Sequence, residues 1–165
     1  MNCRVYLAGP DVFLPDAKAR GESLKAICAR HGLVGVFPLD NPDTPLAATI
    51  ATGNEALIRS CAAVIANLTP FRGVSADAGT AYEVGFARAL GLPVFAFTAD
   101  PRSYAARCAT LEGAVEGRDA EGFAIEMFDL PENLMIACAV TFCGDVEGCA
   151  AAAAAALGAQ TPLAD

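Results

Sequence analysis

Four short apolar runs, each closed by glycine, proline or a polar loop, constrain this chain more than any other feature. They are "CRVYLAG" (3–9), "LVGVFP" (33–38), "AVIANL" (63–68) and "PVFAFT" (93–98). Runs this brief and this uniformly apolar suit strands buried on both faces, as in a parallel sheet covered by helices. Segments of helical period lie between them. "DAKARGESLKAICARHG" (16–32) sets Ala19, Leu24, Ile27 and Cys28 on one face and stops at Gly32. "LAATIATGNEALIRSCA" (46–62) and "TAYEVGFARALG" (80–91) are also predicted helices, with Gly53 a weak point in the former. Strands alternating with helices predict an α/β, doubly wound, mostly parallel sheet of about five strands with helices on both faces.

The second half is less regular. Residues 99–122 show little periodicity and read as a long excursion with a mobile or functional loop. "FAIEMFD" (123–129) is predicted to supply a short strand. "PENLMIACAVTFCG" (131–144) and "DVEGCAAAAAAALG" (145–158) are predicted helices, and "AQTPLAD" a frayed tail. With 165 residues, 55% of them apolar, the expectation is one domain over 1–165 around a single core.

Charge narrows the partners. The net charge is −8 and no Lys/Arg cluster occurs, which argues against nucleic acid and other polyanions. Neutral or cationic small molecules fit better. No apolar run is long enough to span a bilayer, and "MNCRVYLAGP" lacks the form of a secretory leader, so no membrane partner and a cytoplasmic location are expected. Seven cysteines, one histidine (His31) and no C-x-x-C leave no zinc spacing. The thiols are expected to be reduced and mostly buried as small hydrophobes.

Open α/β sheets bind ligands outside the carboxyl ends of their strands. The loops there carry Gly9, Asp11, Asp40, Asn41 and Asp77. Gly9 permits a tight turn or close approach of a ligand. Asp40 and Asn41 are turn formers. Asp77 can cap the helix that follows it, or act chemically. Glu83 lies near the edge of the apolar face formed by Tyr82, Phe86 and Leu90, with small Gly79, Ala81 and Gly85 around it. The helix dipole would help to keep such a carboxylate ionised. It is either a solvated helical glutamate or a nucleophile suited to an anomeric carbon, with a second carboxyl to protonate the leaving group.

"VYLAGPDVF", "FPLDN", "GNEALIRSCAAVIANLTPFRG", "SADAGTAYEVGFARALGLPVF" and "NLM" follow one another in an order and spacing that resembles the nucleoside 2-deoxyribosyltransferase family. The resemblance implies a flavodoxin-like (Rossmann-like) sheet and exchange of the base of a 2′-deoxynucleoside for another free nucleobase, with no metal or cofactor. It implies that Glu83, the glutamate of "D-x-G-x-x-x-E", attacks C1′ and forms a deoxyribosyl-enzyme. Asp77 would hold or protonate the base, and Tyr6, at the end of the first strand, would orient the nucleophile. Asn54 would face the ligand. Asn133 would enter the site of a neighbouring subunit, making the protein a homo-oligomer, dimer or hexamer. Gly9, Asp11, Phe13 and Met135 would contact substrate.

Two other readings compete. A hydrolase of the same fold that cleaves 2′-deoxynucleoside 5′-monophosphates would need phosphate ligands, for which Ser75 and Arg72 are the nearby candidates and Asp77 a repulsive neighbour. A non-catalytic nucleotide-binding module would not require both Glu83 and Asp77.

Overall fold

The computed structural model describes residues 3–159. Apart from Ala159, the expected frayed tail lies outside them. Five parallel strands form one sheet in the order β2-β1-β3-β4-β5: β1 (Cys3–Ala8), β2 (Leu33–Val36), β3 (Ala63–Asn67), β4 (Val94–Phe97) and β5 (Thr141–Phe142). This is the flavodoxin-like order, and its direction reverses between β1 and β3.

Strand parity sorts the core into two layers. Val5 and Leu7 of β1, Ala63 and Ile65 of β3 and Phe95 of β4 pack with Leu24 and Cys28 of α1 (Ala17–Arg30) and with Cys149, Ala150 and Ala153 of the last helix. Tyr6 and Ala8, Val64 and Ala66, and Val94 and Ala96 face the opposite side. There they meet Ile58 of α2 (Ala47–Arg59) and Val84 and Ala87 of α3 (Ala78–Ala89). Side chains alternate across a pleated strand, so Tyr6 must face α3 if Val5 and Leu7 face α1.

Local chemistry sets the helix ends. Asp77 caps α3 by accepting from the Thr80 N–H at 2.9 Å. Asp145 caps the terminal helix through the Gly148 N–H, and Gly158 closes that helix in the left-handed conformation (φ 62°).

The second half departs from expectation. "FAIEMFD" adds no strand to the sheet; Ala124 makes only an isolated bridge to Arg118. "PENLMIACAVTFCG" is not one helix. It splits into a four-residue helix and β5, whose Thr141 and Phe142 pair with Phe95 and Ala96 of β4. The open edge of β4 needs hydrogen-bond partners, and the β-branched and aromatic run at 140–142 supplies them. The excursion holds α4 (Tyr104–Cys108), capped by Ser103, and the four-residue helix is α5 (Leu134–Ala137), leaving α6 (Val146–Leu157) as the last element.

Gly21 of α1 is buried, and a Cβ there would lie 2.6 Å from Cδ1 of Phe37, which is itself buried. Gly21→Ala should gain about 1 kcal/mol of helix propensity. It should lose about 1–3 kcal/mol to overpacking. We expect a net loss, read as a lower urea midpoint at unchanged m-value; a higher midpoint would show that the Phe37 ring yields freely.

Candidate active site

A cavity of about 310 Å³ opens at the carboxyl ends of β1 and β3. Gly9, Val12 and Phe13 line it from the loop after β1, and Pro38 and Leu39 from the loop after β2. Ile50 and Asn54 come from α2, and Asp77, Gly79, Thr80 and Glu83 from the start of α3. A smaller cavity of about 160 Å³ shares Asn54, Gly79 and Glu83 and continues toward Tyr82 and Glu55. Glu83 therefore borders open space on two sides.

Glu83 is half-buried and held by donors on one oxygen. The Tyr6 hydroxyl donates to Oε1 at 2.7 Å, and the Asn54 amide reaches the same oxygen at 3.5 Å, the outer limit of a hydrogen bond. Burial raises the Glu83 pKa from its ordinary value to about 7. The Tyr6 hydrogen bond opposes that rise, the charge of Asp77 adds to it, and the Asn54 bond opposes it again. The expectation that the helix dipole would keep Glu83 ionised is corrected here. Glu83 is in the second turn of α3, past the reach of the helix end, and desolvation outweighs the dipole. Burial and the adjacent negative charge push the Tyr6 phenol far above its usual value, so Tyr6 is a fixed donor. It lies two residues before the end of β1, not at the end itself.

Asp77 and Glu83 line the same cavity. Asp77 does cap α3, yet both hydrogen bonds it accepts there fall on Oδ2, from the Thr80 N–H at 2.9 Å and the Thr80 hydroxyl at 3.2 Å. The capping and chemical roles considered for it are therefore compatible in one side chain.

Of the other expected residues, Gly9, Phe13 and Asn54 line the cavity. A Cβ on Gly9 would fall 2.8 Å from Asn67 Cβ and 2.9 Å from Asp11 Oδ2, so the crossing of chains here admits only glycine. Asp11 is placed differently. Its carboxylate is buried beneath Gly9, with Oδ1 accepting from Arg20 Nε at 2.8 Å and Oδ2 from Asn67 Nδ2 at 2.8 Å. One oxygen ties the loop after β1 to α1 and the other ties it to the end of β3. Phe13 stacks on Phe71 with ring centroids 5.2 Å apart, and the Arg72 guanidinium lies over both rings.

Asn133 and Met135 do not line this cavity in their own chain. Asn133 caps α5 through the Met135 N–H and donates to Glu126 at 2.7 Å, while the Met135 side chain is exposed. Ser75 donates its hydroxyl to Glu132 at 2.6 Å. The Ser75 hydroxyl, one phosphate candidate of the hydrolase reading, is thus committed to a carboxylate.

The sequence marked Asn41 only as a turn former in a loop at the strand ends, and the structure gives it a further role. Asn41 donates to Asn54 Oδ1 at 2.9 Å and so turns the Asn54 amide NH₂ toward Glu83. Asn41 can approach because Gly53 has no side chain; a Cβ there would sit 3.0 Å from the Asn41 amide. The weak point in α2 is a contact surface. The signal was present in "FPLDN" and "GNE", but only tertiary contact joins them. Among the described residues no group of three or more His, Cys, Asp or Glu side chains is placed to hold a metal ion. No helix among them is long and apolar enough to cross a membrane. Cys28, Cys61, Cys108 and Cys149 are free and buried.

Comparison with known proteins bears on the family and the fold. The family model for nucleoside 2-deoxyribosyltransferase matches residues 5–135. The chain is similar to the 2-desoxiribosyltransferase of Leishmania mexicana, with 38% identity, a TM-score of 0.68, and 81% of this chain and 85% of that one covered. A 2-deoxyribosyltransferase from Bacillus psychrosaccharolyticus shares the fold at 18% identity, with a TM-score of 0.56 over 87% of this chain and 88% of that one. An uncharacterised protein of Schizosaccharomyces pombe is 38% identical over 109 residues, 61% of this chain and 52% of that protein. The chain thus spans about half the length of the curated relative it matches.

The raised Glu83 pKa has a stability consequence. A carboxyl whose pKa is higher in the folded state favours folding fully at low pH, and that contribution is lost as pH rises through about 7. Glu83→Gln never ionises. It should therefore be more stable than wild type at pH 8 by about 1–3 kcal/mol, with the gap shrinking toward pH 5. Melting temperatures at the two pH values test this; a gap independent of pH would mean that Glu83 titrates normally.

Proposed function

The chain belongs to the nucleoside 2-deoxyribosyltransferase family, and from that premise we propose that it exchanges the nucleobase of a 2′-deoxynucleoside for a free base through a covalent deoxyribosyl–Glu83 intermediate. The observation that carries this is the Tyr6–Glu83–Asn54 arrangement at the cavity. Hydrogen bonds gather on Oε1 of Glu83 and leave Oε2 as the attacking oxygen.

Oε2 approaches C1′ from the face opposite the base. The C1′–N bond breaks, its electron pair goes to the base nitrogen, and Asp77 supplies a proton to the departing base. With Oδ2 committed to Thr80, proton traffic falls to Oδ1. The incoming base then attacks C1′ from the vacated face, returns a proton to Asp77 and releases the Glu83 carboxylate. Two inversions retain configuration. Burial disfavours the bare carboxylate relative to its neutral ester, so the desolvation that raises the Glu83 pKa also favours the intermediate.

Phe13, backed by Phe71 and Arg72, offers a flat apolar wall to a base. The resemblance assigns Asn133 and Met135 to a neighbour's site. Their position outside their own chain's cavity, with Met135 exposed, supports a homo-oligomer in which each subunit completes another's site.

Glu83→Ala should lower base exchange by about a thousandfold or more while folding and nucleoside binding persist. A 2-fluoro-2-deoxynucleoside should label wild type on the peptide containing Glu83, read by mass spectrometry; label elsewhere would refute the covalent assignment. The rate, expressed as kcat/KM, should fall about tenfold per pH unit below about pH 7, as Glu83 becomes protonated. A flat profile down to pH 5 would remove Glu83 as the ionising group.

A further inference from the structure

The largest buried charged group lies outside the cavity. Arg107 of α4 and Glu132, just before α5, form an ion pair at 3.3 Å with side chains 2% and 0% exposed. Replacing a buried pair by apolar residues of similar volume is often neutral or stabilising, so stability alone does not explain it. What charge adds is direction, and here the direction converges on one loop. Arg107 Nε donates to the Val74 carbonyl at 2.7 Å. Glu132 Oε1 accepts from the Ser75 hydroxyl at 2.6 Å, and Oε2 accepts from the Ala76 N–H at 2.9 Å. Three consecutive residues are thus gripped by one pair, and the next residue is Asp77.

The same pair anchors the excursion. Arg107 also donates to the carbonyls of Arg102 and Pro131, and Glu132 Oε1 accepts from the Asn133 N–H. Beyond Asp77 the chain is already helical. The backbone leading into Asp77 is therefore fixed by α3 on one side and by Glu132 and Arg107 on the other.

We propose that Glu132, oriented by Arg107, is a positioning residue for the proton transfer at Asp77. It sets the approach of residues 74–76 and hence the reach of Asp77 Oδ1 to the leaving base. The inference rests on the reading of Asp77 as proton donor. Glu132 touches no substrate and moves no proton itself. A misplaced Asp77 should slow departure of bases that need a proton and spare one that does not.

The test is single-turnover release of base, with enzyme in excess, from 2′-deoxyinosine and from 7-methyl-2′-deoxyguanosine. The methylated base is cationic in the nucleoside and departs without being protonated. Ser75→Ala removes one bond to Glu132 and leaves the ion pair intact. Glu132→Gln removes the charge, with folding checked by circular dichroism. We expect Ser75→Ala to release hypoxanthine about tenfold more slowly. Glu132→Gln should be slower still. Both should release 7-methylguanine within about twofold of wild type. Asp77→Asn, run beside them, should show the same selectivity in larger measure. If Asp77→Asn is selective and Ser75→Ala is not, the positioning role is wrong while the acid assignment stands. If Asp77→Asn slows both nucleosides alike, the acid assignment falls and the inference with it. Should Glu132→Gln fail to fold, Ser75→Ala decides.

Discussion

A carboxylate withdrawn from water must find donors or give up its charge, and the site is arranged around how Glu83 meets that demand. Tyr6 and Asn54 supply donors to a single oxygen, and Asn41 orients Asn54. These donors oppose burial without cancelling it, so the carboxyl titrates near neutrality. A fully solvated glutamate would be ionised but screened by water. A fully buried one without donors would be protonated and inert. The half-buried position between two cavities lies between those limits.

That arrangement depends on where the sheet reverses. Because β1 lies between β2 and β3, the loops after β1 and β3 diverge and leave a crevice at their carboxyl ends. The crevice would widen if the strand ends were free. Asp11 bridges Arg20 of α1 to Asn67 at the end of β3, directly under Gly9. The buried Asp11 carboxylate would be costly without these partners, and together they fix the floor on which the cavity stands. The Asp11 carboxylate thus holds the floor of the site, while Gly9 provides the close approach above it.

The excursion at 99–131 extends this principle to the other wall. Its local sequence has little periodicity, yet Arg107 binds carbonyls at Val74, Arg102 and Pro131 simultaneously. A guanidinium has five donors in a fixed fork, so one buried arginine can gather three separate segments of irregular backbone. Around it, Phe123, Met127 and Phe128 remain exposed, while Glu126 caps α5 and holds Asn133. Irregular backbone here carries the same positional information that helices and strands carry elsewhere.

Periodicity and punctuation are local, and what they encode was legible in the sequence. The first four strands, the four long helices with Gly32 and Gly158 as stops, and the cap at Asp77 all follow from residues within a turn or two of one another. The spacing of Asp77 and Glu83 on one helix is likewise local, as is the parity that turns Tyr6 toward α3. Tertiary structure decided whatever joins distant segments. Tyr6 and Glu83 are 77 positions apart, and Ala76 and Glu132 are 56 apart. Thr141 and Phe142 became the fifth strand because β4 offered them an edge, whereas "FAIEMFD", with a comparable pattern, had none. Asp11 proved to be a tie because Arg20 and Asn67 converge on it. The Glu83 charge was set by burial, a property of packing around the helix and not of position along it. A sequence specifies which groups want partners; only the folded chain specifies which partners come within hydrogen-bond reach.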